Sequence, residues 1–431
     1  MAFLLDTLLK NAVLLLPDGT VCKDAEVGIR GGEIVSIADK GKSGETADTV
    51  DCGGNLLTPG FYNAHAHSPM TILRGYGENL PLMRWLTERI FPAEDKLTAD
   101  DVYYGTLLAC MEMARGGTVS ASDMYFFTMA MGEAFSDAGM KVNLSPALTC
   151  SDDSRFDELP ICKTMGELSE RFAGHPLVHV ELSIHAEYTT SMERMRFVAD
   201  LVRKYKEPMF VHSSETRSEV AGCVERYGVT PTVLFDKLGM YDYGGGAFHC
   251  VHMSDEDIAI FKKRGLTAVL NPASNLKLAS GIAPVKRFID EGIALAIGTD
   301  GAGSNNALDM FREMYLVSVL AKYRENDASA VDAAKVLEAA CVGGARAMGL
   351  NDCDGIAVGK KADLAVIDLN RPNMRPINNI AKNIVYAGSK ENVRLTMVNG
   401  RVLYENGEFF IGEDARKIYD EAEKIMETIK Q

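Results

Sequence analysis

The feature that most constrains this chain is an alternation. Between residues 60 and 299, eight short apolar runs are separated by longer stretches with helical periodicity. The runs fall at 60–65, 118–124, 142–148, 178–185, 208–213, 246–251, 267–272 and 294–299, with helical stretches such as Ala99–Arg115, Met192–Tyr205 and Pro284–Glu291 between them. Alternation of this kind builds βα units around a parallel sheet. Eight units over roughly 300 residues predict an α/β chain whose centre is a (β/α)8 barrel of the triosephosphate isomerase type.

The flanks read differently. Up to about Pro59, short apolar runs are punctuated by turn residues, as at Pro17-Asp18-Gly19 and Gly31-Gly32, the pattern of hairpins. The segment after Gly359 is similar, with strands expected at Ala362–Leu369, Leu395–Asn399 and Val402–Tyr404. The expected organisation is a small β-sandwich domain from residues 1–58 and 359–410, a barrel over 59–358, and a charged C-terminal helix over 411–431. A length of 431 residues fits one large barrel with an appendage.

A net charge of −15 argues against nucleic acid and against anionic membrane surfaces. The apolar start MAFLLDTLLKNAVLLL is broken by Asp6 and Lys10 and has neither a basic start nor a small-residue cleavage site, so it is read as strand and not as signal peptide. The nine cysteines show no C-x-x-C spacing and are expected to be buried reduced thiols in a cytoplasmic protein. A homo-oligomer, dimer or tetramer, is expected.

In such barrels chemistry sits at the C-terminal ends of the strands. Five of the eight histidines fall there: His65 and His67 on the first strand, His185 on the fourth, His212 on the fifth and His249 on the sixth. Asp300 ends the eighth, and Glu215 follows His212 by three residues. One histidine at a strand end is commonly an ordinary hydrogen-bonding residue, and a lone Thr-Asp-Gly an ordinary turn. Together, on one rim, they form the pattern of a metal site. His65 and His67, two apart on a strand, point the same way. Three imidazoles and one carboxylate suit one divalent ion, Zn2+ or alternatively Fe2+, with room for a water. The ion would lower the pKa of that water to roughly 7, and Glu215 is placed to move protons without binding the ion.

At this point a resemblance is specific. Thr58-Pro59-Gly60-Phe61-Tyr62-Asn63-Ala64-His65-Ala66-His67, His212-Ser213-Ser214-Glu215-Thr216, Phe248-His249-Cys250-Val251-His252, Asn271-Pro272-Ala273-Ser274-Asn275 and Gly298-Thr299-Asp300-Gly301 resemble the signatures of the amidohydrolase superfamily. The branch is that of 5′-methylthioadenosine/S-adenosylhomocysteine deaminases and the related triazine chlorohydrolases. The resemblance implies one metal held by His65, His67, His212 and Asp300. Asp300 would also accept a proton from the attacking water, His249 would orient that water, and Glu215 would protonate the ring nitrogen of an adenine.

It also implies a small-molecule nucleoside substrate. Glu94 would bind the ribose hydroxyls, Trp85 would pack on the sugar or thioether end, and His185 and Ser304 would touch substrate. For Trp85 plain core packing, and for Glu94 a helix-terminal charge near Thr98, stay open. Glu187 stands where the family usually has proline. Of two arginines that would clamp a substrate carboxylate, Arg155 could supply one, while Pro146 occupies the position of the other. An uncharged 5′ group is therefore expected to fit better than S-adenosylhomocysteine. Other reactions of the same site, on triazines or free bases, and a non-catalytic scaffold are the competing readings; the full set of ligands with Glu215 and His249 argues against the scaffold.

Overall fold

The computed structural model describes residues 4–16, 19–147 and 160–431. Parallel strands surround the barrel at Phe61–Ala66, Thr118–Tyr125, Lys141–Pro146, Met209–Ser213, Gly245–His249, Thr267–Leu270 and Ala294–Ile297. The fourth comes in two pieces, Val178–Val180 and Leu182–Ser183. Ladders run unbroken from the first strand to the first piece of the fourth, and from its second piece to the eighth. The switch falls at the buried Glu181, whose carboxylate accepts a hydrogen bond from Asn143. Ala64, Met124, Phe210, Phe248, Val269 and Ala296 pack together from strands one, two, five, six, seven and eight.

The eighth strand has no ladder to the first among the described residues. The seam is closed otherwise: Asp300 N donates to His65 O at 2.9 Å, and Asn63 and Thr299 exchange two hydrogen bonds of 2.8 and 2.9 Å. Gly298 makes this approach possible, since a Cβ there would lie 2.7 Å from the backbone N of His65.

Several strands stop earlier than the apolar runs suggest. The seventh ends at Leu270 because Pro272 opens the helix Pro272–Lys277 and has no N–H for a ladder. The sixth ends at His249, where His249 and Cys250 take φ of +72° and +49°. Ala99–Arg115 and Met192–Tyr205 are helices as expected, begun by the hydroxyls of Thr98 and Ser191. The helix expected at Pro284–Glu291 runs Val285–Asp290.

Both flanks build one sheet. Its order is Glu408–Phe409, Arg401–Glu405, Val393–Val398, Leu364–Ile367, Leu56–Pro59, Leu5–Leu15, Val21–Arg30 and Glu33–Asp39, with Thr46–Asp51 parallel to Leu5–Leu15. The junction is the antiparallel pairing of Leu364–Ile367 with Leu56–Pro59. Of the expected turn Pro17-Asp18-Gly19, the first two residues lie outside the described residues. A buried ion pair joins this sheet to the barrel: Lys141 on the third barrel strand meets Asp363, their side chains 6% and 0% exposed, and Asp363 also accepts from Asn399 N at 2.8 Å. The helix Ala415–Lys430 buries Ile418, Ile425 and Ile429, and Lys96 Nζ reaches Ile429 O at 2.8 Å. The described cysteines are unpaired, all but Cys22 buried. No helix among the described residues is long and apolar enough to cross a membrane.

Candidate metal centre and active site

The strand ends converge. His65 lies one residue before the end of the first strand, buried under Phe248, whose ring stacks on it at 3.8 Å, and His67 follows just beyond the strand. Both Nε2 atoms face Asp300 Oδ1, at 3.5 and 3.2 Å. The His212 ring lies 4.7 Å from that of His65 and 5.4 Å from that of His67. Two groups of three donors, His65 with His67 and Asp300, and His65 with His212 and His249, each bring their ligand atoms within 4.8 Å of one another.

The far side of each ring decides which nitrogen faces inward. His67 Nδ1 bonds Met124 O, His212 Nδ1 bonds His185 O at 2.7 Å, and His249 Nδ1 bonds the Asn275 side-chain oxygen at 2.7 Å. Each bond fixes the ring's orientation and turns Nε2 towards the cluster. His65 is buried with neither ring nitrogen hydrogen-bonded among the described residues, a costly state unless something else is bound there. A divalent ion fits this donor set. Burial lowers His65 to about 3, which leaves it neutral, the form a metal takes. Burial would raise Asp300, but His65 and His67 hold it well below the usual carboxylate range. Its Oδ2 accepts from Ser274 Oγ at 2.5 Å and Ser304 Oγ at 3.0 Å, and its Oδ1 from Gly301 N at 2.8 Å.

Glu215 is buried, and burial raises its pKa. Its Oε1 accepts from Ser280 Oγ at 2.9 Å, and its Oε2 lies 3.8 Å from His249 Nε2. Both face one cleft. Trp85 forms part of its wall, 5% exposed, with an indole N–H that has no partner among the described residues. Glu94 also lines the cleft beside Tyr125, its pKa raised by burial. His185 stacks 4.4 Å from His212, and burial lowers it to about 3. Ser304 lines the cleft while its hydroxyl is engaged by Asp300. Glu187 faces away from this chemistry, in an ion pair with Arg226 at 2.6 Å. Arg155 lies outside the described residues.

A model of the amidohydrolase family matches residues 56–403, which include every strand of the barrel. The chain belongs to the amidohydrolase family. This amidohydrolase is 37% identical over 432 residues to a 5-methylthioadenosine/S-adenosylhomocysteine deaminase of Syntrophobacter fumaroxidans, covering 99% of this chain and 97% of the relative. It is 36% identical to a 5′-deoxyadenosine deaminase of Methanosarcina mazei, with 98% of each chain covered. Among solved structures, an adenosine deaminase from Xanthomonas campestris with bound zinc superposes with a TM-score of 0.93 at 33% identity, covering 99% of both chains. The zinc complex of atrazine chlorohydrolase from Arthrobacter aurescens shares the fold, with a TM-score of 0.88, 21% identity and 97% and 100% coverage.

Some residues that shape the site carried no assigned role in the sequence reading: Ser274 on Asp300, Asn275 on His249, Ser280 on Glu215, and Glu219, which binds the backbone around Glu215. Ser274 and Asn275 lay within a signature string that carried no role for them, and Glu219 had a local signal in the T-x-x-E pattern of a capping box from Thr216.

Proposed function

We propose that this amidohydrolase hydrolytically deaminates adenosine-type nucleosides, giving the inosine analogue and ammonia. The observation that carries this reading is a buried Glu215 facing His249 at the metal-ligand cluster, in a cleft whose other walls are largely apolar. Full-length likeness to named nucleoside deaminases supports it.

In this reading His65, His67, His212 and Asp300 hold one divalent ion, with zinc favoured by the donor set and by the zinc of the Xanthomonas relative. When bound, the ion supplies Lewis acidity and a nucleophilic water near neutral pH. Asp300 takes the proton that water loses on attack at C6 of the purine. His249, its Nδ1 anchored on Asn275, orients the attacking oxygen through Nε2. Glu215, whose pKa burial raises, gives a proton to N1 and later helps ammonia leave. Glu94 binds the ribose diol, Trp85 closes over the sugar, and His185 and Ser304 line the purine side.

The preferred substrate carries an uncharged 5′ group, as in 5′-methylthioadenosine, 5′-deoxyadenosine or adenosine. Among the described residues lining the cleft there is no lysine or arginine. A substrate carboxylate deprived of a charge-assisted partner loses roughly 1.5–3 kcal/mol. Ammonia release across these nucleosides, S-adenosylhomocysteine, adenine, guanine and a triazine tests both statements. The expected result is a kcat/KM for 5′-methylthioadenosine or 5′-deoxyadenosine about tenfold or more above that for S-adenosylhomocysteine. Turnover of guanine or the triazine in place of nucleosides would overturn the assignment.

A further inference from the structure

We propose that Glu219 is a positioning residue that sets the acid–base carboxylate, by fixing the backbone of Ser214–Thr216 so that Glu215 faces His249. The inference rests on the role given to Glu215 above.

Glu219 sits in the first turn of the helix Arg217–Tyr227, buried at 7% exposure. A capping box would use its carboxylate once, on the backbone N–H of Thr216, and that bond is present at 3.3 Å. Two shorter bonds go beyond the cap: Oε1 accepts from Ser214 N at 2.8 Å and Oε2 from Glu215 N at 2.7 Å. One carboxylate thus gathers three consecutive amides of the segment joining the His212 strand to the helix. That segment is bent, with Ser214 at φ +56°, a conformation that persists in a non-glycine residue only when its surroundings hold it. The side chain of Glu215 is steadied separately by Ser280. Glu219 therefore controls where the Glu215 backbone starts, and Ser280 where its carboxylate ends.

The chemistry requires a carboxylate at 219. Glutamine offers one acceptor oxygen, and its NH2 would face amide donors. Aspartate keeps two oxygens but is a methylene shorter. The geometry to be kept is narrow, since a misplacement of about 1 Å can cost roughly 10²-fold in rate.

The test uses the metal-loaded full-length enzyme. Glu219→Gln is expected to lower kcat about 10- to 100-fold while KM stays within about threefold and the metal content is unchanged. Amide hydrogen exchange at residues 214–216 should speed up. Glu219→Asp should recover part of kcat. Thr216→Ala is the control for plain helix capping: it removes the cap hydroxyl but leaves the three amide contacts of Glu219, so it should lower Tm and spare kcat. An unchanged kcat in Glu219→Gln, metal lost in parallel, or a Thr216→Ala as slow as Glu219→Gln would each overturn the proposal. Glu215→Gln is measured alongside. If it turns over normally, the acid–base reading of Glu215 fails, and the hydrogen exchange still reports whether Glu219 holds the loop.

Discussion

His67 differs from its neighbours in how its charge is set. Burial works against its protonation, but the Asp300 carboxylate outweighs burial and raises it to about 9, whereas burial lowers His65 to about 3. Without metal, His67 therefore holds a proton at neutral pH that an incoming ion must displace. Metal uptake at pH 7 to 8 should release about one proton, and apparent affinity should climb as pH rises towards 9 and then level. Calorimetry in buffers of different ionisation enthalpy reads the proton directly; metal uptake with no proton released would contradict the His67–Asp300 pairing. His65→Ala or His212→Ala should lose tightly bound metal and activity together, by elemental analysis and ammonia release. Glu215→Gln should keep its metal and lose roughly 10²-fold or more in kcat. The candidate ligands were legible because each ends an apolar run, and a polar residue there is conspicuous. Ser280 was not, because its partner Glu215 is 65 residues away and a serine beside a glycine reads as an ordinary loop.

At the level of strands and helices, the rim depends on how the eighth strand meets the first. Gly298→Ala would drive a methyl to 2.7 Å from the His65 backbone N, which only a shift of the strand carrying His65 relieves. The expected outcome is weakened metal retention with the helical content of the barrel unchanged, read by metal titration beside circular dichroism. A variant that holds metal as tightly as the parent would show that the seam is soft. Apolar periodicity located the strands because their buried runs are continuous, as expected for a parallel sheet covered on both faces. It overran several of their C-terminal ends, because the residues there stay apolar or small after the chain has left the ladder. It could not foresee the two-piece fourth strand either, since Glu181 at its middle takes a hydrogen bond from Asn143, a neighbour across the sheet and not along the chain.

For the molecule as a whole, the Lys141–Asp363 pair ties the terminal sheet to the barrel. Asp363→Asn leaves a buried ammonium without its counter-charge and should destabilise the protein by about 3–5 kcal/mol. Replacing the pair together, Lys141→Met with Asp363→Leu, should cost clearly less, as denaturant unfolding would show; equal losses would mean that packing and not charge dominates there. That one sheet draws on both flanks was readable from turn-punctuated runs at either end, but its strand order was not, because nothing local encodes which distant edge a strand will meet. The junction of Leu56–Pro59 with Leu364–Ile367 also imposes an order in time. On the ribosome the amino-terminal half of that sheet emerges first and must wait for some three hundred further residues, the entire barrel, before its missing neighbour is made. Throughout that interval Leu56–Pro59 offers an open hydrogen-bonding edge to any other nascent chain. A translation stall inside the barrel would leave that edge uncovered, so interrupted synthesis, more than heat, is the condition under which this protein should be most prone to aggregate.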